Sequence, residues 1–139
     1  MSEADPIKVF CIEDDVEMIE LLKLVLERRG YAFASAESGP EGLEAIRLEK
    51  PDLILLDLMM PEMDGWEVYR RLKLDEATRE IPVVVVTAKA QTIDRVLGLH
   101  VVKVDDYVTK PFSPTDLVGR IERLLERRKA EAESNGHSA

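Results

Sequence analysis

The sequence is poor in the residues that several common kinds of site require. Its single cysteine, Cys11, excludes an intramolecular disulfide and fits a reducing compartment. Because only two histidines accompany that cysteine, the usual ligands of a zinc site are missing. Apolar runs such as Val83–Val86 are far shorter than the roughly 18–20 residues that span a membrane. The N-terminal segment lacks the basic and apolar regions of an export signal, so we expect a cytoplasmic protein without membrane contact.

Positive charge is also scarce. The 139 residues include 19 Lys and Arg against 28 Asp and Glu, which gives a net charge of −9. Binding to a phosphate backbone needs clustered basic side chains, so we expect no direct nucleic-acid binding by this chain. The length fits one domain, and 45% hydrophobic with 34% charged residues is typical of a soluble globular one.

Short apolar runs alternate with longer amphipathic segments. Several runs are apolar on consecutive residues, which favours strands buried on both faces of a sheet. Helix starts are supported by Ser38 and Asp64, which each lie three residues before a Glu, and by Ser113 before Pro114. The predicted strands are Ile7–Ile12, Tyr31–Ala34, Leu53–Leu56, Val83–Val86 and Asp106–Thr109, and the predicted helices are 15–29, 39–49, 65–74, 91–99 and 115–129.

Five consecutive strand-then-helix units predict parallel strands joined by right-handed crossovers. The fold class is therefore α/β, a doubly wound, five-stranded parallel sheet of flavodoxin-like type with helices on both faces. We expect one domain over residues 7–129, preceded by an N-terminal extension at 1–6. Residues 130–139 are polar and are predicted to form a frayed or disordered tail.

Polar side chains follow four of the five predicted strands. Glu13 and Asp14 follow the first strand, Asp57 the third, Thr87 the fourth and Lys110 the fifth. Singly, each has an ordinary explanation as a helix start, a turn or a surface charge. Together they meet at the carboxyl edge of the sheet, where open α/β folds bind ligands. Clustered carboxylates need a cation, and oxygen ligands in excess over one Lys favour Mg²⁺.

A carboxylate at such a site can attack phosphorus and form an aspartyl-phosphate. Asp57 is the best candidate because it belongs to the predicted central strand and lies between Leu56 and Leu58. Mg²⁺, the Lys110 ammonium and the Thr87 hydroxyl are a sufficient set for the three phosphoryl oxygens.

Over about residues 7–127, the sequence resembles the receiver domain of bacterial two-component response regulators. Four blocks carry the resemblance, and each would be weak alone. Their common order makes the match specific, and it implies a receiver domain that stands alone or was excised from a longer chain. The blocks are Ile12–Asp15, Leu56–Gly65, Val86–Ala88 and Asp105–Phe112.

The resemblance implies a phosphoacceptor and a set of metal ligands. Asp57 would receive a phosphoryl group from a histidine of a sensor histidine kinase or a phosphotransfer protein. Asp14 would bind Mg²⁺ directly and Glu13 through water, together with Asp57 and the backbone carbonyl of Met59. Asp15, one position later, is expected to be a helix cap.

The resemblance also implies a switch. Thr87 and Lys110 would contact the phosphoryl oxygens, with the amide of Ala88 nearby, and the Lys110–Pro111 bond is expected to be cis. The Thr87 hydroxyl would move towards the phosphoryl group, and Tyr107 would rotate into the vacated space. From the residues alone, packing of Tyr107 on helix 91–99 is the better supported explanation.

The implied output surface is formed by the fourth and fifth predicted helices, 91–99 and 115–129, and the strand between them. Phosphorylation would shift this surface between two arrangements, for partner binding or homodimer formation. Residues 99–105 form a longer segment than this family usually has, since Thr87 and Lys110 are 110 − 87 = 23 positions apart. The end of the fourth predicted helix is therefore open.

Two other functions compete with a switch that catalyses only its own phosphorylation and dephosphorylation. A Mg²⁺-dependent phosphatase would need a second carboxylate two positions after Asp57, where the chain has Met59. A pseudo-receiver that binds partners without phosphorylation would tend to lose the acidic pair, the Asp or the Lys. This sequence keeps all of them, which favours the switch, and we do not expect an enzyme acting on an external substrate.

Overall fold

The computed structural model describes residues 6–60, 64–87 and 106–137. The predicted helix 91–99, the amide of Ala88 and the long segment 99–105 lie outside the described residues. Strands and helices alternate along the chain. They are β1 (Lys8–Ile12), α1 (Val16–Arg28), β2 (Ala32–Ala36), α2 (Gly39–Glu49), β3 (Leu53–Asp57), α3 (Gly65–Leu74), β4 (Val83–Thr87), β5 (Asp106–Thr109) and α4 (Pro114–His137).

All five strands are parallel and form one sheet in the order β2-β1-β3-β4-β5. The central strand is β3, as predicted for the strand that carries Asp57. Its register pairs Leu56 with Ile12 of β1 and Asp57 with Val86 of β4. These three strands therefore end at one edge of the sheet. The predicted doubly wound parallel architecture is confirmed.

Alternate residues of each strand point into two separate cores. One face of the sheet packs against α2 and α3, and the other packs against α1 and α4. In β3, the consecutive apolar residues predicted burial on both faces, and all five residues are buried. Strand residues of the first core are Phe10, Ile12, Ile54, Leu56, Val83 and Val85, and those of the second are Val9, Cys11, Leu53, Leu55, Val84 and Val108.

The predicted helix caps are present. Ser38 Oγ accepts a hydrogen bond from the Glu41 amide at 3.4 Å and lies 3.1 Å from Glu41 Oε1. Asp15, Asp64 and Ser113 likewise accept from backbone amides in the first turns of α1, α3 and α4. Capping satisfies N–H groups that have no partner inside the helix, so these residues fix where each helix begins after its strand.

Two elements differ from the sequence prediction. Strand β2 begins one residue later and ends two residues later than predicted, because Ser35 and Ala36 extend the ladder opposite Cys11 and Ile12 despite their weak apolar character. Helix α4 continues to His137, so residues 130–137 are helical and the predicted disordered tail is corrected there. Its 130–133 stretch alternates Ala and Glu, which are good helix formers.

Helix α1 ends where the sequence predicted. Gly30 has a φ of +90°, a conformation that glycine adopts without steric cost, and it turns the chain into β2. Among the helices in the described ranges, none combines the length and the hydrophobicity that crossing a bilayer requires.

The packing of α1 supports a prediction about stability. Leu26 is completely buried against the sheet, whereas Leu24, two residues earlier, is 50% exposed. We expect Leu26→Ala to lower the free energy of unfolding by about 2–5 kcal/mol, because it leaves a cavity in the core. Leu24→Ala, the matched control, should cost less than about 1 kcal/mol. Urea unfolding followed by circular dichroism measures both, and equal losses would contradict the core assignment.

Candidate functional site

Glu13 is the first residue after β1 and is almost fully buried, with 2% of its surface exposed. Its amide donates to the carbonyl oxygen of Ala36 at 3.1 Å, which extends the pairing with β2 by one residue. Its Oε2 accepts a hydrogen bond from the amide of Asp15 at 3.2 Å. Backbone and side chain are thus both held, so the remaining oxygen, Oε1, faces the interior of the site.

Asp57 is the last residue of β3 and is 4% exposed. Its Oδ1 accepts a hydrogen bond from the amide of Met59 at 2.9 Å. The next residue, Leu58, donates its amide to the carbonyl oxygen of Val86 at 3.0 Å, so the strand ladder continues beyond the carboxylate. Asp57 is therefore a buried carboxylate fixed by the centre of the sheet.

Lys110 follows β5 and reaches across the sheet edge to both acidic residues. Its Nζ lies 3.0 Å from Glu13 Oε1 and 3.5 Å from Asp57 Oδ2. The Lys110 side chain is 23% exposed, so it lies between the buried carboxylates and solvent. The Lys110–Pro111 bond is cis, which confirms that prediction.

Three carboxylates converge beside this ammonium. One oxygen each from Glu13, Asp14 and Asp57 lies within 4.8 Å of the others, and Asp14 is the exposed member. When all three are ionised, three negative charges against one positive charge leave an excess that a divalent cation would neutralise. Hard oxygen donors in small number suit Mg²⁺, which retains some of its waters. The residues present therefore fit a Mg²⁺ ion.

The pKa values reflect this crowding. Burial, together with the hydrogen bond to Asp57, raises the pKa of Glu13 to about 7. Burial alone would lower the pKa of Lys110, but the hydrogen bond to Glu13 and the charge of Asp57 outweigh it and raise that pKa. Burial, reinforced by the same two carboxylates, also raises the pKa of the Cys11 thiol, which is therefore unreactive at neutral pH.

The other predicted residues are placed less completely. Asp15 caps α1 and accepts from the Met18 amide at 3.3 Å, as expected. Thr87 ends β4 with its backbone paired to Thr109, and the role of its hydroxyl stays a prediction. Tyr107 lies on β5 with 40% of its surface exposed, and its alternative packing on the predicted helix 91–99 falls outside the described residues. Its rotation stays a prediction as well.

Backbone groups are the part of the site that sequence reasoning missed. The Met59 amide holds the nucleophile candidate, whereas only the Met59 carbonyl was expected to act. The carbonyl of Ala36 and the amide of Asp15 both orient Glu13. Every residue except proline carries an N–H and a carbonyl group, so no residue type signals these contacts.

A family model and several curated proteins match most of this chain. The family model described as "Response regulator receiver domain" matches residues 9–122. The alkaline phosphatase synthesis transcriptional regulatory protein PhoP of Bacillus subtilis is 40% identical over 128 residues, which is 92% of this chain and 52% of that protein. The chain thus spans about half the length of the curated relatives it matches.

Solved structures agree in fold. A CheY-like response regulator receiver domain protein from Methanospirillum hungatei aligns with a TM-score of 0.81 and 28% identity, covering 91% of this chain and 98% of that one. The receiver domain of a sensor histidine kinase from Pseudomonas aeruginosa aligns with a TM-score of 0.78 and 25% identity, covering 87% and 98%. That structure has a magnesium ion coordinated in its active site cleft.

The matched residues 9–122 include β1, the central strand and Lys110, and therefore the whole cluster of Glu13, Asp14, Asp57 and Lys110. Because the family model covers most of the chain and the fold aligns with solved receiver domains, the chain belongs to the response regulator receiver domain family of two-component systems.

Proposed function

We propose that this chain is a phosphorylation switch in which Asp57 accepts a phosphoryl group from a histidine of a sensor histidine kinase or phosphotransfer protein. One observation carries the proposal. Lys110 Nζ lies within 3.5 Å of Asp57 Oδ2 and 3.0 Å of Glu13 Oε1, in a buried cluster of carboxylates. Charges on an ordinary protein surface are not clustered in this way. Clustering like charges in a buried site costs stability unless a cation or ligand offsets it, so the arrangement indicates a functional site.

The reacting residues have separable tasks. An oxygen of Asp57 attacks phosphorus, the P–N bond of the donor histidine breaks, and its electron pair stays on the imidazole nitrogen. The Met59 amide fixes Asp57 Oδ1, so the carboxylate presents a defined face to the donor. The Lys110 ammonium lies beside Asp57 Oδ2 and stabilises charge on the transferred oxygens. Thr87 would contribute its hydroxyl to the same oxygens.

A Mg²⁺ ion would be held by Asp14, Asp57 and the Met59 carbonyl, with Glu13 acting through water. When bound, Mg²⁺ would neutralise the carboxylate excess and polarise the phosphoryl oxygens. The Met59 backbone is suited to this task because it is pinned twice, by its amide on Asp57 and by an isolated antiparallel bridge to Asp64. The ligand backbone is thus ordered by contacts within the chain.

Hydrolysis of the aspartyl-phosphate would restore the carboxylate, with water attacking phosphorus and inorganic phosphate leaving. The chain would then catalyse only its own phosphorylation and dephosphorylation and would turn over no external substrate. Such a domain works in the cytoplasm, where kinase and donor histidine are found. A phosphorylation-independent pseudo-receiver is the outcome if Asp57 cannot be labelled.

The output surface that we propose includes β5 and α4. Tyr107 is 40% exposed there, and Arg120 Nη1 lies 3.2 Å from Asp106 Oδ1 while its Nε lies 3.3 Å from Asp116 Oδ2. Charged side chains of both signs that are at least partly exposed on one face are suited to reciprocal pairs across a two-fold axis. Rotation of Tyr107 would reshape this face after phosphorylation, for homodimer formation or partner binding.

Mg²⁺ should stabilise the protein. Because the ion offsets carboxylate repulsion, we expect the unfolding midpoint to rise with the logarithm of the free Mg²⁺ concentration above Kd, by an amount equivalent to about 2.7 kcal/mol at a hundredfold excess over Kd. Asp14→Asn should weaken Mg²⁺ binding by at least about tenfold, because a charged ligand is lost. Thermal unfolding and a Mg²⁺ titration of Trp66 fluorescence, the single tryptophan, measure both effects.

Asp15→Asn is the matched control for that prediction. Asp15 is the adjacent carboxylate but caps α1 instead of facing the cluster, and Asn caps a helix as well as Asp. Mg²⁺ should therefore stabilise Asp15→Asn as it does the wild type. Equal weakening of Mg²⁺ binding in the two variants would mean that only diffuse negative charge attracts the ion.

Acetyl phosphate should label the wild type with one phosphoryl group in the presence of Mg²⁺. In Asp57→Asn the label should fall to background, since the amide is not a nucleophile. Phosphate-affinity gels and intact-protein mass spectrometry measure the label. Asp52→Asn, at the other end of β3, is the control and should label normally, because Asp52 only accepts from the Lys8 amide at 2.8 Å. If the wild type is not labelled, the alternative function, a pseudo-receiver that binds partners without phosphorylation, becomes the better supported one.

Beryllofluoride, which mimics the phosphoryl group, should raise the sedimentation coefficient of the wild type at micromolar protein concentration. Arg120→Ala should weaken this self-association by at least about tenfold, because it removes the positive charge of the β5–α4 face that reciprocal pairs between two copies would use. Arg79→Ala, an exposed arginine before β4, should associate like the wild type. If the protein stays monomeric under all conditions, homodimer formation is rejected and binding of another partner remains as the proposed output.

A further inference from the structure

The first turn of α3 lies directly against the backbone that carries Asp57. A Cβ atom at Gly65 would be 2.4 Å from Leu58 Cα and 2.9 Å from the carbonyl oxygen of Asp57. Non-bonded carbon atoms are normally about 3.5–4.0 Å apart, so even a methyl group does not fit here. The obstructing atoms belong to the backbone, which cannot rotate away as a side chain can.

Three further contacts hold α3 in this place. The Gly65 amide donates to the carbonyl oxygen of Leu58 at 3.3 Å. Met59 and Asp64 are joined by an antiparallel bridge. The Asp64 carboxylate caps the helix by accepting from the Trp66 amide at 3.0 Å. The chain therefore leaves β3 and returns against it within the same loop, with Gly65 at the point of closest approach.

We propose that Gly65 is a positioning residue for the phosphorylation of Asp57. The inference rests on the proposed function. The nucleophile, Asp57, is aligned because residue 65 has no side chain. A methyl group there must displace one side of the contact. If the end of β3 moves, Asp57 moves with it.

If α3 moves instead, the displacement still reaches the carboxylate. Helix α3 carries Asp64, whose bridge partner is Met59, and the Met59 amide holds Asp57 Oδ1 at 2.9 Å. Both responses therefore misalign the attacking oxygen. A misplacement of about 1 Å at a reacting group can cost about 100-fold in rate.

The test is the rate at which acetyl phosphate phosphorylates Gly65→Ala at saturating Mg²⁺. We expect the maximal rate to fall by about 10-fold to 100-fold, since misalignment acts on the transfer step. The half-saturating acetyl phosphate concentration should change little. A merely structural role would lower stability but leave the maximal rate of the folded protein unchanged.

Two other glycines provide matched controls. Gly42→Ala would place its Cβ 2.5 Å from Ile12 Cδ1, a buried clash with a side-chain end that can rotate. It should lose stability but keep a labelling rate within about twofold of the wild type. A Cβ at Gly119 meets Arg123 Nη1 at an ordinary 3.5 Å, so Gly119→Ala, inside α4, should lose no stability and keep the wild-type labelling rate.

A folded Gly65→Ala that labels at the wild-type rate overturns the positioning role and leaves the proposed function standing. If Gly65→Ala does not fold, Asp64→Ala tests the same contact, because it removes the cap of α3 and adds no atoms. A reduced maximal rate supports the proposal, and an unchanged rate overturns it. Failure to label the wild type overturns the proposed function, and the role of Gly65 with it.

Discussion

The contact on which the site depends is the ammonium of Lys110 between two buried carboxylates. Its Nζ lies 3.0 Å from Glu13 Oε1 and 3.5 Å from Asp57 Oδ2, and both acidic residues are almost fully shielded from water. In such surroundings an unpaired carboxylate is costly, so the cluster persists only with a balancing charge. One lysine balances part of it, and the remaining negative charge is what the proposed Mg²⁺ ion would neutralise.

That contact exists because the sheet brings distant parts of the chain to one edge. Glu13 follows β1, Asp57 ends β3 and Lys110 follows β5, and all strands run in the same direction. The ladder continues past two strand ends, through the Glu13 amide on Ala36 and through Leu58 beyond Asp57. The acidic groups are therefore attached to hydrogen-bonded backbone, which gives the precision that positioning a reactive group requires.

Much of this was predictable because the relevant signals lie in residue type and order. Consecutive apolar residues in Leu53–Leu56 indicate a strand buried on both faces, and a parallel sheet then brings Asp57 and Lys110 to the same edge. The two-residue extension of β2 beyond its predicted end was not predictable, because Ser35 and Ala36 join the ladder through backbone pairing. The hydrogen bond from the Met59 amide to Asp57 was not predictable for the same reason, because its donor is a backbone group that every residue except proline carries.

The crowding of acidic groups at the site also lowers the stability of the metal-free protein. The pKa of Glu13 is raised to about 7, above its ordinary value of 4.5, so the folded protein binds more protons than the unfolded chain between those two values. Metal-free stability therefore declines as pH rises through that window, because ionised Glu13 is less favourable folded than unfolded. At neutral pH a proton, a cation or a partner charge can each relieve the same repulsion. A ligand that neutralises this cluster therefore stabilises the folded protein by the same free-energy difference with which it binds.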